Sequence, residues 1–196
     1  MSDYRAPADI RIGHIHLHVS DLEHAIAFYR DVMGFDLIMQ IGGEAAFLSA
    51  GGYHHHIGLN TWGTAGMKPD GQRRPGLYHF ALNYPTRADL ARAVKRVAEA
   101  GPYIRGSADP HTHLAVYLND PEGNGIELAW DREPEFWKPF LDPNTTPDTL
   151  RDLSKPLNLQ ALIAEVARAT SQIRRGAPTG LRVGAPSAVR DRETTP

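Results

Sequence analysis

The chain has 196 residues, a hydrophobic content of 41% and a formal net charge of −2 at pH 7. This length is enough to bury one hydrophobic core, and no apolar run is long enough to span a bilayer. So small a net charge gives no global field that would favour nucleic acid or an anionic membrane, so we expect neither as a partner.

The first ten residues, MSDYRAPADI, lack the basic and then apolar pattern of a secretory signal, and the chain has no cysteine. We therefore expect a cytoplasmic protein without disulfides. Any metal has to be held by histidine and carboxylate side chains, because thiolates are absent. The sequence contains ten histidines, and most of them fall at particular places in the strand pattern.

The first predicted unit, at about 10–62, begins with a histidine-bearing strand. His14, His16 and His18 alternate with apolar residues over 12–19. A period of two predicts a strand with one apolar face, which packs on a helix, and one histidine face, which meets something polar.

A helix and three strands are predicted to complete this unit. Ser20 as N-cap and Glu23 three residues later form a capping box, and Gly34 ends the helix. The strands are predicted over 35–41, 44–49 and 54–61, separated by two Gly-Gly pairs.

The same βαβββ order is predicted again at about 75–130. Leu77 to Leu82 forms a strand in which His79 takes the place of His14. The unit continues with a helix that opens at Thr86 and Asp89 and ends at Gly101, and with strands over 102–106, 113–119 and 125–130.

Two βαβββ modules related by a pseudo-twofold predict an α+β fold over 8–131. Their sheets would curl into a half-open barrel with the helices outside and a cleft inside. Residues 132–173 form a C-terminal extension with an amphipathic helix over Leu159–Ile173, and 174–196 read as a flexible tail. In the extension, Phe136, Trp137 and Phe140 either fold back over the barrel mouth or lie at a subunit contact, and we expect a homo-oligomer.

Three residues on predicted strands suggest a metal site: His14, His79 and Glu127. Two imidazoles and one carboxylate hold a divalent metal on one face and leave the other face open to substrate and oxygen. The segments HIHLHVSDLEHAIAFYRDVMGF, GLYHFAL and YLNDPEGNGIEL resemble the vicinal oxygen chelate superfamily, in particular its extradiol catechol dioxygenase and glyoxalase branches. This resemblance covers 10–130 and implies the paired-module fold and the same three metal ligands.

The branch is predicted from a position that lacks a ligand. The resemblance to glyoxalases implies a fourth ligand, a glutamate on the last strand of the first module, but here that residue is Gly58. Three protein ligands leave three adjacent positions on an octahedral metal, which is room for a diol and dioxygen. The sequence therefore predicts extradiol cleavage of a catechol-like aromatic diol with O2 in aromatic catabolism, with Fe(II) as the metal and Mn(II) as the alternative. A glyoxalase-like lyase or isomerase and a non-catalytic, drug-sequestering module are the other hypotheses.

The run from His54 to His56 covers the position where the resemblance implies an acid–base histidine. The resemblance identifies His55 as this catalytic residue. Strict alternation with Gly58 would instead point His54 and His56 inward, so His55 needs a bulge or a late start of the strand.

Tyr117 lies ten residues before Glu127, where the resemblance implies a tyrosine that orients the substrate. The resemblance also implies a second cleft histidine shortly before this strand, but this sequence has Pro110 there. His111, as a loop residue, or His113, as a strand residue in phase with Tyr117, takes over the role, or the role is lost. We include His113 among the candidate catalytic residues.

Overall fold

The computed structural model describes residues 4–68, 75–142, 144–146, 148 and 154–166. Its strands form two four-stranded sheets, one from each half of the chain. The first sheet contains β1 (Ile15–His18), β2 (Asp36–Ile41), β3 (Ala45–Ser49) and β4 (Ile57–Asn60), in the order β1-β4-β3-β2. The second contains β5 (Phe80–Asn83), β6 (Ile104–Ala108), β7 (His113–Asn119) and β8 (Gly125–Asp131), in the order β5-β8-β7-β6.

The helices occupy the same place in both halves. The first module has α1 (Leu22–Ala27), which continues as a π-helical turn (Phe28–Val32), and the second has α2 (Arg87–Ala100). After the second module come α3 (Pro134–Trp137) and a 3-10 turn (Lys138–Leu141). In each sheet the first and last strands of the module pair in parallel and the other pairs are antiparallel. The predicted α+β fold of two βαβββ modules is confirmed. The sheets are not closed, as in a half-open barrel.

The helices cover the apolar faces of the two sheets. The buried residues of α2 recur at helical spacing, and they meet fully buried leucine, isoleucine and valine side chains of the strands. Each fully buried side chain of this size contributes about 1.5–3 kcal/mol relative to an exposed one. The core therefore lies between helices and sheets, and the opposite sheet faces are left for a cleft.

The start of α1 differs from the prediction. Asp21 is the N-cap, because its side chain accepts a hydrogen bond of 3.0 Å from the backbone N–H of His24. The prediction of Ser20 as N-cap is wrong by one residue. The Ser20 hydroxyl instead donates to Glu122 at 2.9 Å, which ties α1 to the turn between β7 and β8.

Three strands begin three residues later than predicted, at Ile15, Ile57 and Phe80, and β6 begins two residues later, at Ile104. His14 and His79 therefore lie directly before β1 and β5, and 54–56 lie in the loop before β4. The other predicted ends are close: Thr86 caps α2 with a hydrogen bond of 3.1 Å from Asp89 N–H, and Gly101 ends that helix.

Part of the C-terminal extension packs on the second module. Lys155 forms two backbone hydrogen bonds of 2.8 Å with Asp109, next to the free edge of β6. Residues 159–166 are helical, and Leu162 is fully buried in the core. The remainder of the helix predicted over Leu159–Ile173, and the predicted tail over 174–196, lie outside the described residues.

Side chains join the two modules. The Tyr29 hydroxyl donates a buried hydrogen bond of 2.8 Å to Asp120, and the rings of Phe28 and Tyr103 lie 5.0 Å apart. Within the described part of the chain, no helix is long and apolar enough to cross a membrane.

Candidate metal centre

The strand register relates the two modules residue by residue. His16 of β1 lies beside Gly58 of β4, and Ala81 of β5 lies beside Glu127 of β8. His14 and His79 each lie two residues before the first member of these pairs. Gly58 and Glu127 therefore occupy equivalent positions, and so do His14 and His79.

Phe47 and Tyr117 are a further equivalent pair. Phe47 lies opposite Gly58 on β3, and Tyr117 lies opposite Glu127 on β7. Residues directly opposite in a sheet present their side chains on the same face. The cleft face of the second module thus carries a carboxylate and a phenol where the first carries a glycine and a phenyl ring.

His79 and Glu127 are in direct contact. The His79 Nε2 lies 2.9 Å from Oε2 of Glu127, and Glu127 is only 6% exposed. Gly125 permits this approach, because a Cβ at that position would lie 2.3 Å from the Tyr78 carbonyl oxygen and 3.0 Å from the Cβ of His79. A side chain at residue 125 would therefore push His79 away from β8.

His113 contacts the other oxygen of the same carboxylate. Its Nε2 lies 2.9 Å from Oε1 of Glu127, and its Nδ1 lies 2.7 Å from the Thr112 hydroxyl. The hydrogen bond from His113 is the main cause that lowers the pKa of Glu127, against the opposing effect of burial. The carboxylate is thus held in its charged form, which is the form that ligates a metal.

His14 and His79 lie beside a common cavity. The cavity, of about 360 Å³, is lined by both His14 and His79. Among the described residues, no three histidine or carboxylate side chains are close enough together to hold one metal ion. The structure therefore brings His79 and Glu127 into contact, and it does not bring His14 into contact with either of them.

The donor pair of the second module is chemically suited to a divalent metal. The His79 imidazole and the Glu127 carboxylate, with Nε2 and Oε2 2.9 Å apart, match two adjacent ligands with bonds of about 2.1 Å to one ion. His14 is a further imidazole that lines the same cavity as His79. The chemistry of these residues thus fits a divalent metal, with His79 and Glu127 already at ligand spacing.

His55 lies on the cleft side of the first module. Its ring centroid is 4.4 Å from that of His14 and 5.1 Å from that of Phe47. His56 instead approaches the buried Ser49 hydroxyl, 3.2 Å from its Nδ1. The alternation of side chains along β4 does not extend to these residues, because the strand begins only at Ile57. A late start of this strand was one of the two conditions under which His55 could point inward. Burial first, and then the nearby His14, lower the pKa of His55.

Tyr117 faces the same region. Its ring lies 5.7 Å from that of His79, and burial, followed by the charge of Glu127, raises its pKa. A protonated phenol at this place is available to donate a hydrogen bond. His111 is directed elsewhere: it has a positive φ of 75° and its ring packs 5.5 Å from that of Phe136.

The space above Gly58 is filled by an imidazole. A Cβ at residue 58 would lie 2.9 Å from ring atoms of His16, which is closer than real Cβ atoms approach. In the second module the arrangement is reversed, since the small Ala81 lies beside the long Glu127. The first module thus lacks the carboxylate, and the ring of His16 occupies the corresponding space.

The sequence interpretation missed the contact between His113 and Glu127, and the role of Arg132. Arg132 forms two hydrogen bonds, of 2.6 and 2.8 Å, with the carboxylate of Asp109, in the loop that leads to His113. The sequence does indicate that His113 and Tyr117 share one face of a strand, because they lie four residues apart. The contact of His113 with Glu127 could not be predicted, because it depends on the register of β7 against β8.

A family model of the glyoxalase/bleomycin resistance protein/dioxygenase superfamily matches residues 11–128. The chain belongs to this superfamily. The match spans more than half of the chain and both modules, and it confirms the resemblance to the vicinal oxygen chelate proteins.

Two relatives of this superfamily member are dioxygenases. The chain is 49% identical over 116 residues to the catechol-2,3-dioxygenase of Bacillus subtilis (strain 168), which covers 59% of this chain and 39% of that protein. It is 26% identical over 152 residues to biphenyl-2,3-diol 1,2-dioxygenase 3 of Rhodococcus globerulus, with coverage of 76% and 80%. The chain thus spans about two fifths of the length of the Bacillus relative.

Solved structures of other superfamily members share the fold. The glyoxylase/bleomycin resistance protein/dioxygenase domain from Frankia sp. EAN1pec superposes with a TM-score of 0.54 at 21% identity and covers 63% of this chain and 93% of its own. The glyoxalase/bleomycin resistance protein/dioxygenase from Alicyclobacillus acidocaldarius gives a TM-score of 0.51 at 16% identity, with coverage of 68% and 98%.

Proposed function

We propose that this protein is an extradiol ring-cleaving dioxygenase that acts on a catechol-like aromatic diol with O2. In this reaction one ring carbon–carbon bond next to the diol breaks, and both atoms of O2 enter the product. The observation that carries the proposal is the 2.9 Å contact of His79 with Glu127, beside a cavity that His79 and His14 both line, with Gly58 at the position equivalent to Glu127. The two dioxygenase relatives support the same reaction class.

His14, His79 and Glu127 would hold the metal, Fe(II) or alternatively Mn(II). When bound, the metal supplies a positive charge that lowers the proton affinity of the diol oxygens. His55, whose pKa is lowered by burial and by His14, is a neutral imidazole suited to accept a proton at a nitrogen atom and return it. Tyr117 donates from its hydroxyl to an oxygen of the substrate and orients the ring.

The proposal is tested by metal analysis and oxygen uptake. Protein prepared without oxygen and loaded with Fe(II) or Mn(II) should consume O2 with a panel of catechols and form a ring-cleavage chromophore. A glyoxalase-like lyase needs no O2, and a binding module gives no turnover. Metal-loaded protein that consumes no O2 with any diol would contradict the proposal.

The ligand set is tested by alanine variants. Replacement of His14, His79 or Glu127 with alanine should abolish stoichiometric metal and activity yet leave the circular dichroism spectrum unchanged, because these residues line the cleft rather than the core. His18→Ala is the matched control, because His18 is also a histidine, is exposed and lies on β1, the strand that directly follows His14. Full metal content in two of the three ligand variants would exclude the assignment.

A further inference from the structure

Both oxygens of the Glu127 carboxylate are engaged, one by His79 and one by His113. Metal binding would affect these two contacts differently. A histidine that ligates a metal through Nε2 has no proton on that nitrogen, so His79 cannot both hold the ion and donate to Glu127. The His113 contact can persist in the metal-bound state.

His113 reaches Glu127 over a gap in the cleft face. His113 begins β7, and Glu127 lies two same-face positions further along the ladder. The pair between them is Ala115 and Ala129, both buried. Two methyl groups leave room for an imidazole to lie along the sheet, where larger side chains would block it.

The ring of His113 is held at its other end as well. A neutral ring that donates from Nε2 has a lone pair on Nδ1, and the Thr112 hydroxyl lies 2.7 Å from that atom. The backbone here is fixed by Arg132, which donates from its guanidinium to the His111 carbonyl at 2.7 Å and from its own N–H to the Thr112 carbonyl at 3.0 Å. The bidentate contact of Arg132 with Asp109 fixes the start of the same loop.

Arg132 lies beyond the family match, which ends at residue 128. Lys155 and Leu157 also lie beyond the match. The backbone of Lys155 is hydrogen-bonded to that of Asp109, and the Leu157 carbonyl accepts a hydrogen bond of 3.1 Å from the Ser107 hydroxyl. We propose that His113 is a positioning residue that holds the Glu127 carboxylate for metal binding, and that Arg132 fixes the loop that presents His113. The inference rests on the proposed metal site, and it gives the C-terminal extension a role there.

The experiment measures the dissociation constant of Mn(II) by electron paramagnetic resonance, without substrate or oxygen. His113→Ala should weaken Mn(II) binding by about 10- to 100-fold, as loss of a partner of a metal ligand does. His113→Gln keeps an N–H donor of similar reach and should recover most of this loss. Equal affinity in wild type and His113→Ala would overturn the proposal and leave the proposed metal site intact.

Arg132→Ala should weaken Mn(II) binding by about tenfold. Arg87→Ala is the matched control, because it breaks the other bidentate contact to the C-terminal extension, with Glu165 at 2.8 and 2.9 Å, and leaves the hydrogen-bond partners of His113 and Arg132 in place. We expect it to change affinity by less than about twofold. If Arg132→Ala does not fold, Asp109→Asn removes the charge from the same contact and serves in its place.

The double variant of His113→Ala and Arg132→Ala separates a route through His113 from a general loss of structure. It should bind Mn(II) no more weakly than His113→Ala alone, because Arg132 acts through that ring. Additive losses would overturn the role of Arg132. This affinity pattern in a protein that consumes no O2 with any diol would support the inference and contradict the proposed reaction, whereas a wild type that binds no Mn(II) would overturn both.

Discussion

At the scale of single residues, the environment of a histidine decides its role more than its place in the sequence. His55 and His56 are neighbours in the chain, but one contacts the rings of His14 and Phe47 and the other contacts the Ser49 hydroxyl. Similarly, His113 meets a carboxylate while His111 packs on Phe136. In both cases the residues lie where a strand begins, since β4 starts at Ile57 and β7 at His113.

The first prediction concerns the proton shuttle. His55→Gln should lower turnover with catechol by about 100-fold or more, as loss of a general acid–base group does, with metal content unchanged. His56→Gln should have a smaller effect, because its ring is directed to Ser49. Steady-state oxygen uptake at fixed metal loading measures both. Full activity in His55→Gln together with loss in His56→Gln would contradict the assignment.

A second prediction concerns Gly58. The single variant Gly58→Glu must displace the His16 ring, because even a Cβ meets it at 2.9 Å. The double variant His16→Ala with Gly58→Glu reproduces the Ala81 and Glu127 pair of the other module and should bind Mn(II) at least as tightly as wild type. It should also suppress oxygen uptake, since a carboxylate would occupy a position needed by substrate.

The control for this variant is His16→Ala with Gly58→Ala, which makes the same space without the carboxylate. Oxygen uptake is measured for both at saturating metal. If the glutamate variant oxidises catechol as fast as the alanine control, residue 58 does not reach the metal.

At the scale of secondary-structure elements, the sequence predicted all eight strands and both module helices. The alternation of His14, His16 and His18 and the helical spacing in α2 are strong periodic signals because one face of each element is buried. The ends were less predictable. The fourth strand begins at Ile57, where its last pair with Leu48 of β3 is formed, and the His56 N–H still donates to the Leu48 carbonyl at 2.9 Å. The N-cap of α1 was not predictable for a similar reason, because the Ser20 side chain bonds Glu122, a distant residue, and leaves Asp21 to cap the helix.

The contact of the C-terminal extension with the second module gives a prediction on acid stability. Arg132 lowers the pKa of Asp109, through their hydrogen bonds first. A lowered pKa in the folded state contributes stability above the unfolded value of about 3.9, and this contribution is lost as pH falls through the folded value. Asp109→Asn should cost about 1.5–3 kcal/mol of unfolding free energy near pH 7.

Urea denaturation over a range of pH measures this difference, which should shrink below about pH 4. The matched control is Asp31→Asn, because Asp31 forms its ion pair with Arg30 on the exposed surface, where solvent screens the attraction. A cost for Asp109→Asn that does not change with pH would contradict the ion-pair explanation.

At the scale of the whole molecule, a buried hydrogen bond from Tyr29 to Asp120 joins the two modules. Asp120 is 4% exposed, and burial raises its pKa, while the Tyr29 hydroxyl and Asn124 donate hydrogen bonds that oppose this rise. Neither Tyr29 nor Asp120 was assigned a role from the sequence. Their contact joins residues 91 positions apart, which no local pattern encodes.

Tyr29→Phe should destabilise the protein by about 1–3 kcal/mol, because it removes a donor from a buried carboxylate. Asp120→Asn should lower stability too, and the double variant should be less destabilised than the sum of the two. Chemical denaturation of all four proteins measures the coupling. Strictly additive effects would show that the contact does not hold the modules together.

The described sheets are each built from one module, and their backbone hydrogen bonds stay within it. Each half of the cleft is therefore held by its own backbone hydrogen bonds, whereas the junction between the halves consists of side-chain contacts, among them those of Tyr29 with Asp120 and of Phe28 with Tyr103. The position of His14 relative to His79 and Glu127 consequently depends on this side-chain packing and not on a strand ladder. A ligand that needs donors from both modules would act on these side-chain contacts and leave the strand pairing of each sheet unchanged.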